Sequence, residues 1–391
     1  MSSQALTNDP LPVHEAAYRF AQSHWSFHSA RWGQAGLDAR ALFEPAGAAG
    51  LLGMQVPRSF GGQAWSFADM VKALQALARV DFSAAMALVN SHNVAAQLVN
   101  CSPEVLAPRY LPGLLSGQLV SCTALTEPGT GSDLAQLQTL AQRHGDGWVL
   151  NGSKTWIINA EHADHVVVYA QTQAGAGVKG IAAFYVDAKS PGFERTPLST
   201  STALKAMGLG GFRLSNVACD ASQLLIGPGA AFVDIMGAIN RARIYVAAMC
   251  CGMVSQALAD AVSYGQQRQT FGKALPQHQG WRWQMAQVAT ALEASECLVA
   301  RACEWVEQGV EVQAAAAQAK LHATHMAQTQ LGSLLQAMGA EGFLDRHVFL
   351  RHLTAAHAAA LTDGSTAMLL ERVAADLHQS AAASAQAGHG H

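Results

Sequence analysis

The chain has 391 residues, half of them hydrophobic (50%), which is enough apolar material for a large core divided among two or three structural units. Only 13% of residues are charged, about half the usual share for a soluble domain, so part of the surface is expected to be covered by another subunit. A formal net charge of -3 supplies no broad basic field, which argues against nucleic acid and anionic membranes as partners.

The N-terminal stretch MSSQALTNDPLPVHEAAYRF has neither the basic start nor the apolar centre of a signal peptide. No later stretch runs through about 18 uninterrupted apolar residues. A cytoplasmic location is the expectation. The seven cysteines are scattered, with only Cys250 and Cys251 adjacent, and no CxxC pair marks a metal or dithiol site. They read as buried thiols in a reducing compartment, and no metal is expected.

Residues 1–118 read as a helical domain, with FADMVKALQALARV showing apolar residues at three- and four-residue spacing and PRSFGGQ marking the connection before it. Residues 119–225 change to short β-rich runs, GWVLNGSKTWII, HVVVYAQT, GIAAFYVDA and GFRLSNVAC, separated by turn formers. Asn151-Gly152 between two such runs predicts a two-residue hairpin, because both central positions of a type I′ turn require positive φ. Residues 226–380 return to long helices, expected over about 230–265, 276–308, 312–338 and after Asp363. The small, polar residues 381–391 are expected to form a disordered tail.

The order of helices, sheet, helices excludes a doubly wound nucleotide fold, in which strands and helices alternate throughout. No GxGxxG opens a helix after a strand, and the glycines of GPGAAF and MGLGGF read as turns. Late in the chain, ALTDGST places one carboxylate, Asp363, in an Ala- and Leu-rich stretch. On its own, an acidic residue just before a helical run is an N-cap.

Two quoted stretches carry more. ALTEPGTGSDL (124–134) followed by LNGSKTWIINA (150–160) resembles the paired signatures of the acyl-CoA dehydrogenase family. LLGMQVPRSFGGQ (51–63), YGQQRQTFGKAL (264–275) and LLQAMGAEGF (334–343) match further family segments, in family order. The resemblance implies a mainly α fold with a small β-barrel-like middle domain, an N-terminal helical domain and a C-terminal four-helix bundle. It also implies FAD as cofactor and a homotetramer built as a dimer of dimers. An acyl-CoA or carrier-bound acyl thioester would be the substrate, and an electron-transfer flavoprotein the electron acceptor.

By the same resemblance, Leu125 and Thr126 would present backbone and hydroxyl groups to the isoalloxazine, and Trp156 would cover part of the ring. Ser132 would contact the pyrophosphate and border the substrate. The family usually has Thr two residues after the tryptophan, near flavin N5; here Ile158 stands there, leaving its backbone N–H. Arg268, Thr270 and Phe271 of RQTFG would reach the FAD of a neighbouring subunit, where a guanidinium suits a pyrophosphate. Gln336 and Gly339 match the adenosine-side loop.

The family's base is commonly a Glu followed by Gly and Thr or Ser; TDGST puts Asp363, Gly364 and Ser365 there. Asp363 would remove the substrate α-proton, with Gly364 beside the substrate and Ser365 on the cofactor side. Its backbone N–H would help hold the thioester oxygen. Burial among Ala360, Leu361, Met368 and Leu369 would raise the carboxyl pKa and make a stronger base. Aspartate is about 1.5 Å shorter than glutamate, so backbone or substrate must compensate. Relatives that place the base before an arginine on the first bundle helix find Ala242 before Arg243 here, and Arg243 is a candidate contact to the acyl carrier. The helix MALVNSHNVAAQLV, with Asn90, His92 and Asn93, would line the acyl pocket. Reactions on the same scaffold, such as non-oxidative elimination or nitroalkane oxidation, and a non-catalytic flavin-binding or DNA-associated role, remain alternatives at this stage.

Overall fold

The computed structural model describes residues 11–25 and 39–388. It divides into two compact units, Met1–Ala73 with Asp81–Gly237, and Leu74–Val80 with Ala238–His391. The N-terminal helical segment and the β-rich segment lie in the first of these units.

In the first unit, helices α1 (Val13–Trp25), α2 (Phe43–Ala48), α3 (Phe67–Ala78), α4 (Phe82–Cys101) and α5 (Leu106–Ser116) precede the strands. The last turns of α3 belong to the second unit. Helix α4 starts where the Asp81 carboxylate accepts the Ala84 N–H at 3.0 Å. Its Ala, Leu and Val residues are buried nearly all round, so it is a core helix and not an amphipathic one.

Eight strands form one sheet: β1 (Ser121–Ala124), β2 (Leu140–His144), β3 (Gly147–Ile157), β4 (His165–Gln171), β5 (Ile181–Asp187), β6 (Phe193–Pro197), β7 (Gly210–Cys219) and β8 (Leu224–Ile226). Their order is β6-β7-β3-β2-β4-β5-β8, with β1 parallel to β4, and no pairing among the described residues closes it into a barrel. Every residue of β4 is buried. Val166, Val168 and Ala170 join the core cluster with Leu150, Phe184, Phe212 and Leu214. On the other face, the Tyr169 hydroxyl accepts the amide of Gln97 from α4 at 3.0 Å. A sheet covered on both faces reads as a continuous apolar run, and that coverage fuses the helical and β segments.

The Asn151-Gly152 hairpin expectation is overturned. β3 runs straight through both residues, and its pairing with β7 shifts register between Leu150 and Gly152. Asn151 Oδ1 accepts the Asn216 N–H at 2.8 Å, and a β-carbon on Gly152 would stand 2.5 Å from Thr139 Oγ1. The glycine serves a close approach within a bulge. The turn lies earlier: His144 pairs with Gly147, leaving Gly145-Asp146 as the two-residue connection.

The second unit contains most of α6 (Ala230–Gln267), then the β9 (Gln269–Thr270) and β10 (Lys273–Ala274) hairpin, α7 (Gln279–Glu307), α8 (Gln313–Met338), α9 (Phe349–Ala359) and α10 (Thr366–Gly388). Helix α8 packs against α7, α9 and α10. Helix α9 is an addition to the four expected. It ties the segment 74–80 into this unit through Arg351, which donates to Val80 O at 3.1 Å, and through His352 Nε2, 3.0 Å from Arg79 O. By length and composition α6 could cross a bilayer, but Ile244 to Cys251 are buried without a break. Helix α10 continues to Gly388, so residues 381–388 are helical and not a tail; their alanines, the best helix formers, explain it. Residues 389–391 lie outside the described residues.

Candidate active site

In the first unit, the structure joins the two family-like stretches. After β1 the chain makes a tight turn, with Glu127 and Thr130 exchanging backbone hydrogen bonds at 2.9 and 3.1 Å. The Thr155 N–H donates to Thr126 O at 3.1 Å, linking this loop to β3. Lys154 Nζ donates to Leu125 O at 3.0 Å and to Glu127 Oε1 at 2.8 Å. The Glu127 carboxylate also accepts the N–H groups of Gln138 and Thr139 at 2.7 and 2.9 Å.

The Lys154–Glu127 ion pair is almost wholly removed from solvent. Burial alone would raise the Glu127 carboxyl, but Lys154 and the hydrogen-bond donors more than reverse this and hold it below the ordinary range. Burial lowers Lys154 to about 8 against the attraction of the carboxylate. Neither residue stands out in sequence. Both sit inside the quoted stretches, yet a lysine alternating with Thr155 in a strand reads as a solvated edge.

The pinned loop leaves specific groups free. The N–H and hydroxyl of Thr126 bond to none of the described residues, and Ser132 is exposed in the turn that follows. Trp156 has φ 58°, a left-handed conformation that costs a bulky residue on the order of 1–3 kcal/mol. It lies in a second β3/β7 bulge, between Lys154 and Ile157, and its side chain is 61% exposed. A bulge re-aims a side chain; here the indole turns away from the sheet core. Ile158 follows, partly buried, and its N–H donates to no described residue. Asn159, also left-handed, bonds to Ala87 O and Ser121 O at 2.8 and 3.3 Å and fixes the end of the strand.

His92 on α4 is wholly buried, with Nδ1 3.3 Å from Leu52 O. Burial lowers it to about 4, so it is neutral at physiological pH. Asn90 Oδ1 is buried with no hydrogen-bond partner among the described residues, while Asn93 has a partner.

In the second unit, Asp363 lies between α9 and α10 with φ 54°, a conformation aspartate tolerates better than most residues. It is not the N-cap of α10: Ser365 is the residue whose carbonyl accepts the Leu369 N–H, at 3.0 Å. The Asp363 carboxylate and N–H make no hydrogen bond with the described residues, although its carbonyl does. Arg243 Nε donates to Asp363 O at 3.0 Å, and Lys320 Nζ donates to Gly364 O at 2.7 Å. Gly364 has φ 108°, which favours glycine, and a β-carbon there would crowd Arg243 Nη2 at 3.2 Å.

Arg243 is 4% exposed and also donates to Asn240 Oδ1 at 2.8 Å. It anchors the Asp363 loop from inside. The surroundings of Asp363 differ from expectation. Ala360 and Leu369 are buried, but Leu361 is exposed, and the near charges are Lys320 and Arg243. Burial raises the Asp363 carboxyl above its ordinary value, and the two cations pull against that rise.

The remaining candidates occupy other parts of this unit. Arg268 follows α6, and its side chain forms no ion pair or hydrogen bond with the described residues. Phe271 and Gly272 form the β9–β10 turn, with φ 49° and 74°, and Phe271 is 98% exposed. Thr270 Oγ1 lies 3.1 Å from His278 Nε2. Gln336 is exposed near the end of α8, where Gly339, φ 61°, closes the helix through its N–H to Gln336 O. Among the described residues no cluster of His, Cys, Asp or Glu could hold a metal, and the seven cysteines form no disulfide.

The first unit thus offers free backbone and hydroxyl donors beside an outward-turned indole. That set fits a large aromatic cofactor whose edge carries carbonyl and ring-nitrogen acceptors. The second unit offers a carboxylate with no hydrogen bond of its own, on an anchored loop, which suits proton transfer.

Comparison with known proteins identifies the family. Residues 8–118 match the acyl-CoA dehydrogenase N-terminal domain, 122–217 the middle domain and 232–378 the C-terminal domain. The chain is 28% identical over 372 residues to the short/branched chain specific acyl-CoA dehydrogenase, mitochondrial, of Rattus norvegicus, covering 95% of this chain and 86% of that one. Butyryl-CoA dehydrogenase from Megasphaera elsdenii superposes with a TM-score of 0.87 at 26% identity, covering 93% and 97% of the two chains. The structure of PigA with FAD and proline gives a TM-score of 0.88 at 25% identity, covering 94% and 96%. The chain belongs to the acyl-CoA dehydrogenase family, FAD-dependent oxidoreductases that act on CH–CH groups of acyl-CoA substrates.

Proposed function

We propose that this protein converts an acyl-CoA thioester into its trans-2-enoyl thioester, with Asp363 as the base. The observation that carries the reading is the state of Asp363: its carboxylate and its N–H are free of hydrogen bonds to the described residues, while its carbonyl is anchored by Arg243. A base must have an open lone pair and a fixed position, and an anchored carbonyl fixes the backbone without occupying the carboxylate.

Leu125, Thr126, Trp156 and the Ile158 N–H would hold the flavin ring, and Ser132 its pyrophosphate. FAD, when bound, supplies the acceptor for the hydrogen leaving the β-carbon as hydride. The protein supplies the other half of the reaction. Asp363 takes the α-proton, and its N–H donates to the thioester oxygen as negative charge develops there. Partial burial keeps the carboxyl more basic than a solvated aspartate, and the two cations keep it ionised.

Arg268, without an ion pair or hydrogen bond to the described residues, and Phe271, 98% exposed, support docking of the β9–β10 hairpin on a neighbouring subunit's FAD within a homotetramer. An electron-transfer flavoprotein is the proposed acceptor and the cytoplasm the proposed location. Anaerobic titration with acyl-CoAs of graded chain length tests the reading: the yellow flavin should bleach with one of them, and Asp363→Asn should not bleach. Bleaching at an undiminished rate in that variant would remove Asp363 from the mechanism.

A second reading keeps the fold and FAD but changes the substrate carrier or the reaction. Ile158, which brings no hydroxyl to the segment beside Trp156, and the short carboxylate favour it. Flavin bleaching by carrier-protein thioesters, with none by CoA esters, would select this reading.

A further inference from the structure

The second unit contains a buried lysine that the proposed mechanism leaves unassigned. Lys320 sits in α8 in the run AAAAQAKLHATH, among alanines, and is completely buried. Removing an ammonium group from water is costly unless it is paired and hydrogen-bonded. Its one hydrogen bond among the described residues goes to Gly364 O, 2.7 Å away.

Arg243 on α6 performs the matching task one residue earlier, donating to Asp363 O at 3.0 Å. Two buried cations from two helices thus grip consecutive carbonyls of a loop whose two residues both have positive φ, 54° and 108°. In a peptide unit the N–H points opposite the C=O. Holding these carbonyls toward the helices therefore turns the following N–H groups, of Gly364 and Ser365, to the other side. The carboxylate of Asp363 feels both charges but is hydrogen-bonded to neither.

We infer that Lys320 is a positioning residue for the base, fixing the Asp363-Gly364 backbone through the Gly364 carbonyl and setting the proton affinity of the Asp363 carboxylate through its charge. The inference rests on the reading of Asp363 as the base. The charged and titratable groups bearing on the pair are Arg243 and Cys250 from α6 and Arg372 from α10. Of these, the Cys250 thiol is pushed up to about 12 by burial and stays neutral, so Lys320 and Arg243 are the cations that act on Asp363.

Three variants of the FAD-loaded enzyme test this. Lys320→Met removes both charge and hydrogen bond; Lys320→Gln keeps a donor for Gly364 O without the charge; Lys320→Arg keeps the charge. Two readouts are taken: the pH profile of kcat, and the Asp363 carboxyl titration by infrared difference spectroscopy, with Asp363→Asn as the blank. A nearby positive charge lowers a carboxylate, so Lys320→Met and Lys320→Gln should move both titrations upward, with Lys320→Arg staying near wild type. Lys320→Met should in addition lower kcat on the pH plateau more than Lys320→Gln does. Unchanged titrations in both uncharged variants would overturn the inference while leaving Asp363 as the base. Full turnover in Asp363→Asn would instead overturn the underlying reading. If Lys320→Met does not fold, Lys320→Gln alone decides the charge effect.

Discussion

Replacing Lys154 by Met isolates the contribution of the buried ion pair that pins the loop after β1. Methionine fills most of the lysine volume and removes the charge. Glu127, only 6% exposed, would keep the N–H donors of Gln138 and Thr139 but lose the ammonium at 2.8 Å, and Leu125 O would lose its partner at 3.0 Å. Removing one member of a buried pair costs about 3–5 kcal/mol, because the other charge stays buried. Two surviving donors place this case near the lower end, at about 3 kcal/mol. For a unit of this size that corresponds to a melting temperature lower by about 6–12 °C. Differential scanning calorimetry of the FAD-free protein gives the shift, and the flavin-to-protein ratio after gel filtration reports loss of cofactor through disorder at Leu125 and Thr126. The double variant Lys154→Met/Glu127→Gln should recover at least about 1 kcal/mol relative to Lys154→Met, since no buried charge is left alone. A Lys154→Met protein that melts within 2 °C of wild type and retains its flavin would refute the reasoning.

Asp363→Asn should lower turnover about 10²–10⁴-fold with FAD still bound, measured by anaerobic stopped-flow flavin reduction. Because the folded carboxyl lies above its ordinary value, the acid limb of wild-type kcat should fall at higher pH than a solvated aspartate would give. Trp156→Gly should stabilise the FAD-free chain by relieving a positive φ, by about 1 kcal/mol, and weaken FAD retention; stability and flavin content moving in the same direction would contradict the indole's role. Burial lowers His92 to about 4 and His352 to about 3. With folded values below the unfolded one, the unfolded chain binds more protons below about pH 6.5, so each should subtract up to about 1.4 kcal/mol of stability per pH unit as pH falls from there toward 4. Denaturation curves at pH 7 and 5 check this, with His352→Gln expected to flatten the dependence.

The order of helices and sheet was legible because periodicity changes from three or four to two and back along the chain. The quoted stretches pointed to a flavin side only through their resemblance to the family; by themselves their turn residues and tryptophan read as ordinary turn and core positions. What misled was local. Asn151-Gly152 carries the composition of a hairpin turn, but Thr139 on the neighbouring strand and the Asn216 backbone claim those residues for a bulge. Gly145-Asp146 carries a weaker version of the same signal and makes the turn. Helix α9 was not expected because alanine and histidine dominate its stretch, although Phe349, His352, Ala355, Ala356 and Ala359 form its buried face.

At the proposed base, the residue was readable in sequence and its surroundings were not. TDGST located Asp363, yet its nearest charges are 120 and 43 residues away in the chain, Arg243 and Lys320. No local pattern pairs residues at such distances. The helix dense with alanine gave no sign that its single lysine was turned inward, since long lysines on such helices ordinarily run their stems along the surface.

The distribution of sulfur has a practical consequence. Cys122, Cys219, Cys250, Cys251 and Cys303 are sealed inside the protein, while Cys297 faces outward on α7. A maleimide or disulfide reagent will therefore tag the intact chain at Cys297 at once and reach the sealed five only when the fold opens. Cys122 and Cys219 lie in one unit and Cys250, Cys251 and Cys303 in the other, so mass spectrometry of the tagged peptides can time the opening of each unit without any introduced probe.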